Sequence, residues 1–119
     1  MIARMVRITR SKVLEKITQY WPDVDPQEVM NFLDEYGVES HEQERARVQL
    51  AILKLSEGER ARLEELVGIA KREFRDVLAY AEYPEEMSIG FIGVRQLSST
   101  EVKALRDRDK EQYLQWLEG

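Results

Sequence analysis

Residues 40–84, SHEQERARVQLAILKLSEGERARLEELVGIAKREFRDVLAYAEYP, read as two long helices joined with almost no loop. Ser56 stands at the joint. With Glu59 three residues on, it has the spacing of a capping box: the serine oxygen accepts a backbone N–H and the glutamate reaches back. Gly58 then falls in the first turn of the following helix, where a glycine costs least. Ser40 and Gln43 open the earlier helix in the same style. Its second half, Val48 to Leu55, is apolar nearly all round, which predicts burial all round and a central place in the fold. The later helix, over 57–82, carries Leu63, Leu66, Val67, Ala70, Phe74, Val77, Leu78 and Ala81 in the 3.6-residue period, one stripe within about 120° of arc. Ile69 and Tyr80 lie off that stripe on one flank, placed for contact with another helix or with a partner.

Working outward, the chain before residue 40 predicts two shorter helices. The first runs over 11–20 on Val13, Leu14 and Ile17, and Pro22 ends it. Asp25-Pro26-Gln27-Glu28 is a helix start: Asp25 caps, and Pro26 takes the first helical position, where a missing N–H costs nothing. This second helix packs through Val29, Phe32, Leu33 and Tyr36, and Gly37 is its left-handed stop. Residues 1–10 alternate loosely and read as a strand, a basic arm or a fraying helix start.

After Tyr83-Pro84 the pattern breaks. Met87 to Val94 places Gly90 and Gly93 among bulky apolar residues, which predicts that 84–98 is an apolar packed loop or at most a short strand. Ser98 and Glu101 restart a helix at capping-box spacing and carry it to Leu117. Asp109 falls where the spacing of that helix asks for an apolar residue. The expected fold is all-α: one domain over 1–119, a compact bundle of four to five helices around a central antiparallel pair.

The 119 residues include 34% charged and 43% apolar side chains and no cysteine. Disulfides, thiol chemistry and cysteine-ligated metals are thereby excluded. No apolar run approaches the ~20 residues of a membrane span, and the arginines of the N-terminus are not followed by a secretory core, so the expected location is cytoplasmic. The net charge of −5 is unevenly spread. Arg4, Arg7, Arg10 and Lys12 form a basic head without an acid. Residues 22–44 then hold Asp23, Asp25, Glu28, Asp34, Glu35, Glu39, Glu42 and Glu44 without a lysine or arginine. Mutual attraction of the two blocks is the leading account.

Chemistry-bearing patterns are sparse. His41 is the one histidine, and Arg45 stands where a zinc-protease helix needs the second; arginine does not ligate metal. Ser40, Ser56 and Ser98 are read as caps rather than nucleophiles, and Gly90-Phe91-Ile92-Gly93 lacks the lysine and spacing of a phosphate loop. The paired acids Asp34-Glu35 and Glu64-Glu65 point in different directions on their helices. Trp21, Tyr80, Tyr83, Phe91 and Trp116 lie near helix ends, where rings close a core or meet a partner.

The expectation is a non-catalytic interaction or adaptor module without cofactor or metal, docking another protein or a second copy of itself. Its candidate surface is Ile69, Tyr80, Tyr83, Phe91 and Ile92. A nucleic-acid-associated regulator using Arg4, Arg7, Arg10 and Lys12 is the first alternative, disfavoured by the mixed charge of the fourth helix. A small-ligand binder or enzyme with an acidic pocket around Asp109 is the second.

Overall fold

A computed structural model describes residues 7–119 and contains six helices among them: α1 (Arg10–Tyr20), α2 (Pro26–Leu33), α3 (Arg45–Ser56), α4 (Arg60–Glu82), α5 (Pro84–Arg95) and α6 (Ser99–Glu118). The all-helical expectation holds, with more helices than the four to five expected. Thr9 opens α1, its side chain accepting from the Lys12 amide at 3.2 Å. Asp25 opens α2, accepting from the Gln27 amide at 3.0 Å, with Pro26 in the first turn.

The core is built around α3. Val48, Leu50, Ala51, Ile52 and Leu53 are all fully buried, as an all-round apolar helix requires. They meet Leu63, Leu66, Val67 and Ala70 of α4, Val13 and Ile17 of α1, and Val29, Met30 and Leu33 of α2. The polar exception on α3, Gln49, is also buried; its amide nitrogen donates to the Leu33 carbonyl at 2.9 Å and to Asp34 Oδ1 at 3.1 Å. That pair of bonds ties the middle of α3 to the end of α2, so a buried polar side chain is satisfied rather than stranded.

The joint between α3 and α4 differs from its sequence reading. Ser56 is the last residue of α3, and its hydroxyl donates back to the Leu53 carbonyl at 2.7 Å. Glu57 (φ +52°) and Gly58 (φ +80°) follow in left-handed conformations, and α4 begins after Glu59 with no side-chain cap. The serine therefore finishes one helix instead of starting the next. The left-handed turn decides this, because a glycine two residues past a helix end accepts positive φ without a Cβ penalty.

Helix α4 is not continuous. Glu73 has extended backbone (φ −154°, ψ 89°), and its carboxylate accepts from the Arg75 amide at 3.2 Å and from the Arg75 guanidinium at 2.7 Å. A side-chain acceptor thus serves an amide that the interrupted ladder leaves open. The apolar stripe survives on both sides of the break, with Val77, Leu78 and Ala81 buried beyond it and Phe74 half-buried.

The link from α2 to α3 is a built loop and not the N-terminal turns of α3. Helix α2 stops at Leu33 instead of Tyr36, and α3 starts at Arg45 instead of Ser40. Between them Glu42 folds inward with its side chain only 1% exposed. Its Oε1 accepts from the amides of Gly37, Val38 and Glu39 at 2.9, 3.1 and 3.4 Å. Its Oε2 lies 3.0 Å from Lys71 Nζ on α4. Burial works against ionisation, but the lysine and the backbone amides outweigh it and bring the carboxyl down to about 2. Gly37 is left-handed as expected (φ +105°), and a Cβ there would stand 2.7 Å from the Arg45 side chain.

Residues 84–95 correct the sequence reading most. They form helix α5, in two segments broken at Gly90 (φ +81°, ψ 167°), where a loop or short strand was expected. The Gly90 conformation is one that only glycine adopts readily. Each segment is too short to hold itself together. What holds the first is Asp109, reaching across from α6: its Oδ1 and Oδ2 accept from the amides of Glu85 and Glu86 at 2.9 and 3.1 Å. These are N-terminal amides of α5, which have no acceptor within their own helix. Arg108 and Arg106 add ion pairs to Glu85 and Glu86 at 2.7 and 3.1 Å. Helix α6 itself starts from the expected capping box of Ser98 and Glu101.

Candidate interaction surface

The five residues expected to form one surface fall in three places. Ile69 and Tyr80 are brought together, although the break at Glu73 lies between them. They line a groove of about 300 Å³ with Leu55, Leu66 and Val77, edged by Arg62 and Asp76. Tyr80 is 54% exposed there, while Ile69 packs partly against the core.

Tyr83 belongs to a different groove, of about 490 Å³, with Ile8, Leu114 and Leu117 along its walls and Arg106, Asp107 and Lys110 among its charged neighbours. Tyr113 also lines it. The Tyr113 hydroxyl is buried without a hydrogen-bond partner. Burial, and after it the nearby Glu82 carboxylate, push that phenol well above its ordinary value. Glu82 is itself held by Arg47 through two bonds of 2.8 and 2.6 Å. A buried donor left open costs stability. Tyr113→Phe is therefore expected to raise the stability of the fold by about 1 kcal/mol, read as an upward shift of the urea midpoint; a fall would show that the hydroxyl makes a bond in solution.

Phe91 and Ile92 line neither groove. They stand on the second segment of α5, 76% and 73% exposed, beside Ile89 at 40%. No residue of α5 is buried. The helix is held to α6 by polar contacts, so its apolar side chains remain outside the core.

The expected basic arm is also divided. Arg4 lies outside the described residues, and Arg7 is exposed. Arg10 is in the first turn of α1 and grips Asp34 through two bonds of 3.0 and 2.7 Å. Asp34 takes Arg45 as well, at 2.9 Å, and its carboxyl is lowered chiefly by the Arg10 bond. Lys12 pairs with Glu15 and donates to the Leu117 carbonyl at 3.1 Å. Basic head and acidic block thus attract one another within the chain, at least through Arg10 and Asp34.

Lys12 belongs to a set that sequence reading missed. Three α1 side chains cover the C-terminal end of α6: Lys12 on Leu117, Lys16 on the Trp116 carbonyl, and Gln19 on the Gly119 carbonyl at 2.7 Å. Lys16 is buried, with its ammonium 4.6 Å from the centre of the Trp116 ring. Cations there satisfy open carbonyls and complement the negative end of the helix dipole. The indole N–H of Trp116 donates to the Tyr20 hydroxyl at 2.9 Å. Trp116 and Trp21 both pack partly against the core, so these rings close it. One signal was available: Lys12, Lys16 and Gln19 share a helix face at spacings of four and three.

Asp109 was the candidate for an acidic pocket. It is 1% exposed, and both of its oxygens serve the α5 amides. His41 is on the surface, 4.0 Å from Glu42. Four cations of α4 meet acids: Arg60 with Glu28 at 3.5 Å, Arg62 with Glu65 at 3.8 Å, Lys71 with Glu42 and Arg75 with Glu73. Among the described residues no three histidine, aspartate or glutamate side chains gather as a metal site, and no helix is long and apolar enough to cross a membrane. Compared with family profiles, with curated proteins and with solved structures, the chain matches none.

Proposed function

We propose that this chain is a non-catalytic protein–protein interaction module whose docking face is the outer side of α5. One observation carries the reading: a whole helix with no buried residue presents Ile89, Phe91 and Ile92 to solvent. Single exposed apolar residues are ordinary, but a cluster on one short element marks a place where surface is covered by something else. In this reading α3 and α4 form a central antiparallel pair, α1 and α2 pack on it, and α5 with α6 carries the contact. The capping role of Asp109 supports the non-catalytic part, since a carboxylate accepting two backbone amides is a poor general base.

The test is affinity capture from native lysate with the wild-type chain and with Phe91→Glu side by side, each with and without nuclease. Phe91 is exposed, so the variant should keep its helical circular dichroism while losing the captured protein. An equal catch by both chains would sink the α5 assignment. A catch that disappears on nuclease treatment in both would move the function to nucleic acid.

A further inference from the structure

We infer that the groove formed by α6, the end of α4 and Ile8 is a binding site for a small amphipathic monoanion, a carboxylate on an apolar chain. The head lies between Lys110 and the Tyr113 hydroxyl, and the chain runs along Leu114, Leu117 and Ile8. The groove shares no residue with the Ile89, Phe91 and Ile92 face of α5 and does not depend on that reading.

The first observation is an open donor. Among the described residues the Tyr113 hydroxyl is the one buried side-chain polar atom without a hydrogen-bond partner, on a residue only 6% exposed. Folded chains leave few such atoms open, and each asks for an explanation. Burial keeps the proton on this phenol, so the hydroxyl is a donor and needs an acceptor. Tyr113 lines the groove, and so does Glu82, whose carboxylate acts on that phenol. Glu82 is not the acceptor, because Arg47 holds both of its oxygens at 2.8 and 2.6 Å. An acceptor for the hydroxyl therefore enters through the groove.

The second is charge. Three of the charged side chains along the groove are already engaged: Glu82 with Arg47 at 2.6 Å, Arg106 with Glu86 at 3.1 Å and Asp107 with Lys103 at 2.9 Å. Lys110 has no acid partner among the described residues. One unpaired ammonium favours one negative charge on whatever enters. Lys110 and Tyr113 are three residues apart on α6 and so are neighbours on one face. A single carboxylate has an oxygen for each.

The third is the shape and character of the remaining surface. Leu114 and Leu117 continue the same face of α6, while Ile8 and Tyr83 add rings and methyls that are 41% and 42% exposed. The volume of about 490 Å³ falls within the ~300–1,000 Å³ of small-molecule sites. Each methylene of the ligand taken out of water there is worth about fourfold in affinity.

Calorimetric titration of the full chain with decanoate, hexanoate and decylammonium tests this. Decanoate should saturate one site, bind at least about tenfold more tightly than hexanoate and bind more tightly than decylammonium. Lys110→Glu should weaken decanoate about fivefold or more. Arg72→Glu, the same change of charge on an exposed α4 residue outside the groove, should not. Tyr113→Phe should bind decanoate about fivefold more weakly, although its unliganded chain is expected to be the more stable one. Unchanged circular dichroism shows each variant to be folded. Absence of saturable binding overturns the inference. So does an equal loss in Lys110→Glu and Arg72→Glu, which would be an effect of net charge alone, and so does an affinity that Tyr113→Phe leaves unchanged.

Discussion

Asp109→Ala is expected to lower the stability of the chain by about 3 kcal/mol and to release α5 from α6. The carboxylate is buried and accepts the amides of Glu85 and Glu86 at 2.9 and 3.1 Å. Hydrogen bonds to a charged acceptor are worth more than neutral ones, and removing the acceptor leaves both donors open. The loss should be local as well as global, since α5 has no buried side chain to hold it once its N-terminal turn is uncapped. Hydrogen exchange should show the amides of 85–89 unprotected in the variant while those of α3 keep their order. Asp109→Asn retains one acceptor oxygen and should recover about half of the loss. A urea midpoint unchanged by Asp109→Ala would show that α5 is held by something other than this cap.

Glu42→Gln should cost about 2 kcal/mol at neutral pH and almost nothing in strong acid. The carboxyl is lowered from 4.5 to about 2 in the folded chain, where Lys71 and three backbone amides favour the charged form. A depressed carboxyl contributes stability that is complete above its unfolded value and disappears as pH falls through the folded one. The contribution of Glu42 is therefore whole above about pH 4.5 and lost as pH approaches 2. Glutamine can still accept from the amides of 37–39 but has no charge for Lys71. Urea unfolding of both chains between pH 7 and pH 2 should give curves that converge in acid. A difference that stays constant across that range would show that the charge of Glu42 has no part in the loop. Asp34 titrates in both chains and cancels from the difference.

These two carboxylates also show where sequence reading ends. Each is an acid at a position whose neighbours along the chain explain nothing. Asp109 stood out because its register called for an apolar residue, so burial was legible and its purpose was not. Its acceptors' partners are 24 and 23 residues away in the chain, and no local pattern connects them. Glu42 did not stand out at all, being one of eight acids in the 22–44 block. The same limit explains Ser56. Ser-x-x-Glu has two valid readings, the start of a helix or the end of one followed by a left-handed turn. The choice depends on whether α3 can stop there, which is set by how it packs.

The helices themselves were legible wherever a face had to be buried. The apolar all-round run of α3, the stripe of α4, the Asp-Pro start of α2 and the Ser98–Glu101 box of α6 each carry their own periodicity or cap, and each is present. Helix α5 carried neither, because a helix with no buried face has no apolar period to read. Its Gly90 and Gly93 argued for a loop, and the Asp109 cap and the Arg106 and Arg108 ion pairs that hold it come from α6, out of reach of any local pattern. The candidate surface divided for a related reason. Ile69 and Tyr80 line one groove from opposite sides of the Glu73 break, whereas Tyr83 stands at the junction of α4 and α5, and Phe91 and Ile92 follow the Gly90 break, whose direction no spacing rule supplies.

Sequence alone thus determined the helical class, the central burial of α3 and the caps at Asp25 and Ser98, since 3.6-residue periodicity and i-to-i+3 contacts are properties of neighbouring residues. Tertiary structure decided which charges were engaged, that Arg10 grips Asp34, that α1 closes the end of α6, and that α5 exists with its apolar side outward. Those outcomes depend on bonds between residues far apart in the chain, and such bonds form only after the core has brought their partners together.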